Sequence, residues 1–404
     1  MNYLQMIVRW LWLPVLLSVV FVVMSVPQYR RKRFFSSIDF RGYDGKIPRY
    51  KGRYTENAYL KREKYISKIP FSEWEREKEE LEMFYKRKIY KLEQSKENVR
   101  VMNVYLIEEA LPAFIQWDDS FMEEGAKFAI GKSHMGKVIW NSMTFPHGLI
   151  AGATGSGKTG LLRNIIHQAI MKRWNVSVLD FKGGGDYVSE EQQAQKYRDL
   201  ERDYGPFIIS DPEEARQLLL ALTIEVKSRL EAFKEVGVSN ITEYNASRRG
   251  YFVPWFVVVD EAAELLDVKP KDKAEKEMYA EIDHLLRTIA RTSRAAGVHI
   301  LMCVIRPSSD VLDGQIKNNL LWRVCGYFAD PAASRIVLDN DQATKLPPEI
   351  KGRFIVNGEE TQAYYLPIPE QGNENFRDNC GDGGSGGEAE REPPEPSAAE
   401  GGAT

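Results

Sequence analysis

Gly152-Ala153-Thr154-Gly155-Ser156-Gly157-Lys158-Thr159 fits the pattern G-x-x-x-x-G-K-[ST] without a mismatch. Its flanks decide how it folds. Gly148-Leu149-Ile150-Ala151 enters it as an apolar run that predicts a buried strand. Leu161, Leu162, Ile165, Ile166, Ala169 and Ile170 leave it at the spacing of a helical stripe. Strand, glycine loop and helix together make a phosphate site. The glycines let backbone N–H groups close around the phosphates, and the helix N-terminus adds its positive end. Gly152, Ala153, Thr154, Gly155, Ser156, Gly157, Lys158, Thr159 and Gly160 form the expected cradle. In this pattern Lys158 reaches the β/γ-phosphates and the Thr159 hydroxyl ligates Mg²⁺.

Such a loop needs a second half. Trp255-Phe256-Val257-Val258-Val259 is a continuous apolar run, the mark of a strand buried on both faces, and it ends in Asp260-Glu261. A carboxylate at the tip of a strand beside the loop's own strand is placed to hold the Mg²⁺ shell, which assigns Asp260 as the metal-side residue. Glu261 is then placed to polarise the attacking water, because phosphoryl transfer is mostly positioning and charge stabilisation. The two halves predict a chain that binds and hydrolyses a nucleotide.

The 404 residues leave room for one large or two medium domains. A net charge of −3 predicts no partner. Cys303, Cys325 and Cys380 lack metal-ligand or disulfide-like spacing, and the five histidines are dispersed, so no zinc site is readable. Two of the cysteines fall in apparent core strands, which suits a reducing compartment.

Residues 7–26 are apolar apart from Arg9 and serines. About 20 residues in a helix cross roughly 30 Å of hydrocarbon. Arg9 near one end snorkels, and Pro14 kinks the helix without forbidding it. Arg30-Arg31-Lys32-Arg33 follows at once, which places that end in the cytoplasm. No small-x-small cleavage site follows, against a signal peptide. From Phe71 to Lys96 a highly charged helix is expected, with Trp74, Leu81, Tyr85, Ile89 and Leu92 near one face. It is either a stalk or a solvated helix packing one stripe on its own domain.

Val99 to Phe145 alternates apolar and polar residues as short strands do. Val176–Leu179 is a second buried strand, ending at Asp180 and the loop Lys182-Gly183-Gly184-Gly185. That loop lies where open α/β sheets bind ligands, so Asp180 and Lys182 either face nucleotide or polymer or make a plain turn. A long helix carries Leu218, Leu222, Val226, Leu230 and Phe233, and another runs between Ala274 and Ala296. On the second, Arg287, Arg291 and Arg294 share a face that is either solvated or a subunit or DNA contact. Val298–Val304 and Arg323–Ala329 are further strands, and Asn357-Gly358 marks a type I′ hairpin. From Glu370 the composition turns to Gly, Glu, Pro, Ser and Ala, and a disordered tail is expected.

Four ordered motifs resemble the FtsK/SpoIIIE family of DNA translocases over residues 125–366. They are Phe145-Pro146-His147 running into the glycine loop, Val259-Asp260-Glu261-Ala262-Ala263-Glu264-Leu265, Arg294 to His299 with Arg306 to Asn319, and Val238 to Asn245. The resemblance implies an α/β, RecA-like P-loop NTPase motor using ATP and Mg²⁺, a homo-hexameric ring with double-stranded DNA through its centre. It also implies an arginine from a neighbouring subunit at the nucleotide; Arg323 is the candidate and Arg335 the second. Lys158, Asp260, Glu261 and Arg323 are the expected catalytic set, with Thr159 and Asp260 on the metal. Lys317, Asn318 and Asn319 are expected to contact DNA phosphates. The family's usual Gln is Ile305 here, and no room follows Leu366 for a winged-helix reader.

The organisation expected is a transmembrane anchor with basic flank (1–33), a juxtamembrane charged helical segment (34–98), the motor (99–368) and an acidic Gly/Pro-rich tail (369–404). That architecture is most similar to the coupling protein of a Gram-positive conjugative plasmid or integrative element, single-pass in the cell membrane with its motor in the cytoplasm. A relaxase and mating-channel proteins are its expected partners. Other family roles are chromosome segregation and type VII secretion; a nucleotide-switched membrane scaffold is the reading that Ile305 favours.

Overall fold

Apolar runs without alternation need cover on both sides, and the sheet that contains them has it. The computed structural model describes residues 27–182, 185–197, 207–308, 311–312 and 314–367. The apolar stretch 7–26 with Arg9 and Pro14, Gly183, Gly184, Asp310 and the tail from 369 with Cys380 lie outside the described residues. Among the described residues no helix is long and apolar enough to cross a membrane.

Helix α1 spans 27–37 and leads into strands β1 (Arg49–Thr55) and β2 (Leu60–Ile66), helices α2 (Phe71–Arg76) and α3 (Lys78–Tyr85), and strands β3 (Ile89–Gln94) and β4 (Val101–Ile107). These strands form an antiparallel sheet in the order β1-β2-β4-β3. The single helix expected over Phe71–Lys96 is therefore corrected to two short helices and a strand. Lys86 takes a left-handed conformation that ends α3. The chain then turns so that Ile89 pairs with Leu106 and Leu92 with Val104. The apolar stripe does pack on its own domain: Trp74, Leu81 and Ile89 join Phe35, Tyr65, Met102 and Val104 in one buried cluster. Strand β4, expected with the motor, pairs in this first sheet.

The second sheet begins with β5 (Ile115–Gln116), β6 (Lys127–Ser133), β7 (Gly136–Asn141) and β8 (Gly148–Ala151), the strand that enters the glycine loop. Helix α4 (Lys158–Met171), β9 (Asn175–Asp180), α5 (Val188–Tyr197), β10 (Ile208–Ile209), α6 (Pro212–Val236), α7 (Ile241–Ala246) and β11 (Trp255–Asp260) follow. The chain completes itself with α8 (Ala263–Leu266), α9 (Lys273–Thr292), β12 (Val298–Val304), α10 (Gly314–Asn319), β13 (Trp322–Gly326), α11 (Pro331–Leu338), β14 (Arg353–Val356) and β15 (Glu359–Tyr365). Strand order is β10-β9-β11-β12-β8-β13-β14-β15-β6-β7. Pairings from β10 through β13 are parallel and those from β13 to β7 antiparallel.

Alternate residues of the central strands enter opposite cores. Leu149, Ala151, Val257 and Val259 face the side covered by α6 and α9, where Leu218, Leu222, Ile282 and Ile289 are buried. Ile150, Phe256 and Val258 face the side covered by α4, with Leu161, Leu162 and Ile165. Two-sided cover is why these runs read as continuous in the sequence. The Asn357-Gly358 turn joins β14 to β15 with both residues at positive φ, as a type I′ hairpin requires.

Candidate nucleotide site

Parallel strands bring their carboxyl ends to one edge, and the glycine loop sits there at the end of β8. Gly157 caps α4 with φ 98°, a conformation that side chains resist. A Cβ at Gly157 would lie 2.6 Å from the Gly352 nitrogen, and one at Gly152 would lie 2.7 Å from Ser156 Oγ. Gly352 N–H donates to Ser156 O at 2.9 Å, so the turn before β14 buttresses the loop from behind. Gly157→Ala is accordingly expected to cost roughly 1–3 kcal/mol from backbone strain and to lose nucleotide affinity. Thermal melts and a fluorescent-nucleotide titration check both.

Lys158 is buried at the start of α4, and its Nζ donates to the carbonyls of Gly152 (2.7 Å) and Ala153 (3.0 Å). Burial pulls this ammonium below the ordinary lysine range, against the opposing charges of Glu261 and Asp260. Those carboxylates are buried at the tip of β11. Glu261 has φ 58°, a left-handed conformation that costs a non-glycine residue on the order of 1 kcal/mol or more. That kink turns Glu261 toward two donors. Ile305 N–H donates to its Oε1 at 3.3 Å, and Lys182 Nζ stands 3.4 Å from its Oε2. Asp260 accepts from the hydroxyl of Tyr187 at 2.9 Å, and burial raises its carboxyl above the usual range.

One strand-level expectation needs correction. Strand β12 lies between β8 and β11, so the Asp260 strand is not the immediate neighbour of the loop strand. The inserted strand joins both: Gly152 N–H donates to Val304 O, and Ala262 N–H to Cys303 O. The Lys182 loop is also more than a plain turn, since its lysine faces Glu261.

Arg323, expected to act on a neighbour's nucleotide, is spent within its own chain. Its guanidinium donates to the carbonyls of Leu320, Val337 and Lys317 and pairs with Asp339 at 2.7 Å. Lys317, expected to contact DNA phosphates, pairs with the same carboxylate at 2.6 Å and forms a triad with Arg323. Arg335 is exposed on α11. Of the three arginines expected to share one helix face, Arg287 and Arg291 lie on α9 and Arg294 lies beyond its end. Arg287 pairs with Asp283, while Arg294 lines a cavity of about 590 Å³ with Asn240 and Glu243, beside the amino end of β12. His147, from the Pro146-His147 motif, is a buried strut: Ile300 N–H donates to its Nδ1 at 3.0 Å. Burial pushes it down to about 3, so it is neutral.

Tyr187 and Gly352 were not singled out from the sequence. A lone tyrosine after a glycine run and a glycine in a Lys-Gly-Arg turn carry no pattern of their own. Only the topology brings them to the site.

Mg²⁺ fits these residues. Among the described residues no three His, Cys, Asp or Glu side chains cluster as a metal cage. A hard cation that keeps its waters and rides on nucleotide phosphates needs only one or two protein oxygens, which Thr159 and Asp260 would supply. Among the described residues Ser156 Oγ is buried without a partner, an orphaned group in the wall of the cradle.

The glycine cradle, the anchored lysine and the paired carboxylates on a sheet with parallel central strands define a P-loop ATPase. The FtsK/SpoIIIE family pattern matches residues 116–253. The DNA translocase FtsK of Streptococcus agalactiae is 28% identical over 311 residues, covering 68% of this chain and 36% of that protein. The FtsK of Streptococcus pneumoniae is 33% identical over 235 residues, 55% of this chain and 29% of that protein. The chain thus spans about a third of the length of these curated relatives. Among solved structures, the pCW3 conjugation coupling protein TcpA, in its monomer form with ATPgS, is 31% identical with TM-score 0.61, over 84% of this chain and 95% of that one. EssC ATPases 2 and 3 from Geobacillus thermodenitrificans share the fold at 18% identity and TM-score 0.50, over 64% of this chain and 48% of that one. The chain belongs to the FtsK/SpoIIIE family.

Proposed function

We propose that this chain is a membrane-anchored motor that hydrolyses ATP to move double-stranded DNA in conjugative transfer. The observation that carries this reading is the likeness to the TcpA coupling protein, which extends over 84% of this chain, more than the motor segment alone. The translocases FtsK among its relatives support DNA as the cargo. The apolar residues 7–26 anchor it in the cell membrane, with Arg30-Arg31-Lys32-Arg33 on the cytoplasmic side. Six copies form the ring, and a relaxase and mating-channel proteins are its partners.

The chemistry follows from the chain's own groups. Lys158 is placed to neutralise phosphate charge, and Thr159 and Asp260 would hold a Mg²⁺, which when bound supplies further charge stabilisation to the phosphates. Glu261, fixed between the Ile305 N–H and Lys182, accepts a hydrogen bond from the attacking water and so polarises it. The backbone of residue 305, rather than its side chain, supplies this contact, so isoleucine at the family's Gln position leaves the Glu261 clamp intact.

The test is ATP turnover by full-length protein, extracted with detergent from membranes, with and without long duplex DNA. Several-fold stimulation is expected at low salt, falling steeply as salt rises because phosphate contacts release counterions. An oligomeric preparation that neither binds DNA nor responds to it would leave the nucleotide-switched scaffold in place of the motor. Recovery of the full-length chain in the soluble fraction would count against the anchor.

A further inference from the structure

Strand β9 pairs with β11 so that Asp180 lies opposite Asp260 at the end of the sheet. The segment leaving β9 therefore passes beside both carboxylates of the site. Lys182, two residues on, reaches Glu261. Gly185–Tyr187 then forms a single helical turn ahead of α5, and the Tyr187 ring enters the core beneath α4. Its side chain is fully buried, and its hydroxyl ends on Asp260 Oδ2 at 2.9 Å. A buried tyrosine needs a partner for its O–H, but a backbone carbonyl would serve packing as well. Here the partner is the residue assigned to the metal.

We propose that Tyr187 is a positioning residue for Asp260, holding Oδ2 so that Oδ1 is the oxygen left for the Mg²⁺ shell. A carboxylate on a strand tip can rotate about its terminal bond, and two equivalent oxygens then compete for one position. A donor fixed in the core removes that freedom. Outer partners of this kind orient metal-side carboxylates, and their loss commonly weakens metal affinity about tenfold or more. Lys182 and Tyr187 thus set the two carboxylates, Glu261 by charge and Asp260 by hydrogen bond.

The inference rests on Asp260 being the metal-side carboxylate, and the experiment separates the two. Mn²⁺ is titrated by electron paramagnetic resonance into full-length protein in detergent, loaded with a non-hydrolysable ATP analogue. Tyr187→Phe keeps the ring and removes only the hydroxyl. It is expected to weaken Mn²⁺ binding about tenfold while metal-free binding of the analogue stays at the wild-type value. Turnover falls at limiting Mg²⁺ and recovers at saturating Mg²⁺, a response that a packing role would not give. Asp260→Asn runs alongside. If Asp260→Asn weakens Mn²⁺ binding and Tyr187→Phe does not, the role of Tyr187 is overturned. If neither does, the assignment of Asp260 to the metal has failed and takes this inference with it. A second measurement needs no Phe variant: 3-fluorotyrosine at position 187 should shift its fluorine resonance when metal joins the analogue complex. An unmoved resonance would overturn the proposal.

Discussion

Lys158→Ala is expected to remove ATP turnover and binding together, whereas Glu261→Gln is expected to keep ATP bound and stop its hydrolysis. The two side chains do different work in one cleft. Lys158 is the cation of the cradle, buried at the N-terminus of α4 where its Nζ already lies on the loop carbonyls of Gly152 and Ala153. Alanine there leaves phosphate charge without its partner, and a loss of at least about 10²–10³ in turnover is expected for removal of such a preorganised group. Glutamine at 261 has nearly the shape of glutamate, and its carbonyl oxygen can still accept from Ile305 N–H. It cannot polarise water as a carboxylate does. Filter binding with labelled ATP and phosphate release measure the two effects separately. Wild-type turnover by Glu261→Gln would move the catalytic assignment to another residue.

The parts of this site that were readable in the sequence are those whose physics is local. A glycine loop between a strand and a helix announces itself, because positive φ and close backbone approach exclude other residues at Gly152 and Gly157. Strands β8, β11 and β12 were readable because burial on both faces favours near-continuous apolar runs. Residues 71–96 were misread because Trp74, Leu81, Ile89 and Leu92 fit a helical stripe, and the period cannot reveal that Lys86 breaks it. The intrachain partner of Arg323 and Lys317 was not readable for a different reason. The sequence shows two cations near a motif, but Asp339, their shared partner, lies sixteen and twenty-two residues away and meets them only after α11 folds back on β13. Charge in a sequence says nothing of who neutralises it. Tyr187 is the same lesson at the metal side, since its partner Asp260 is 73 residues distant.

Glu63→Ala is expected to have the largest effect on stability, and it acts far from the nucleotide. Glu63 is wholly buried on β2, where Arg31 of α1 holds both its oxygens through Nε and Nη2. Arg53 of β1 and the hydroxyls of Tyr65 and Tyr85 complete the set, at 2.9, 2.6 and 3.1 Å. Burial alone would raise this carboxyl; the hydrogen bonds from Arg31 and Tyr65 and the charges of Arg31 and Arg53 outweigh it and hold it below its ordinary value. Removing the carboxylate strands the Arg31 guanidinium in the core, which costs about 3–5 kcal/mol. Because the folded value is lowered, the stability this group contributes is present above the unfolded carboxyl's pKa near 4.5 and is lost as pH falls through the folded value. Wild-type melting temperature should therefore drop below about pH 4.5, while Glu63→Ala, already destabilised, should lose less over that window. Melts of the two proteins from pH 7 to 3 check this, and parallel pH profiles would show that another group carries the acid sensitivity. The position of the network gives it a mechanical meaning. Arg31 sits on the helix that follows residues 7–26, so Glu63 is the bolt between the proposed anchor and the first sheet. Asn57 Nδ2 in turn donates to His134 O at 2.8 Å, joining that sheet to the one that carries the nucleotide. The membrane-anchored motor proposed above would transmit its reaction force along this path, so at neutral pH Glu63→Ala should lower DNA transfer by more than it lowers ATP turnover.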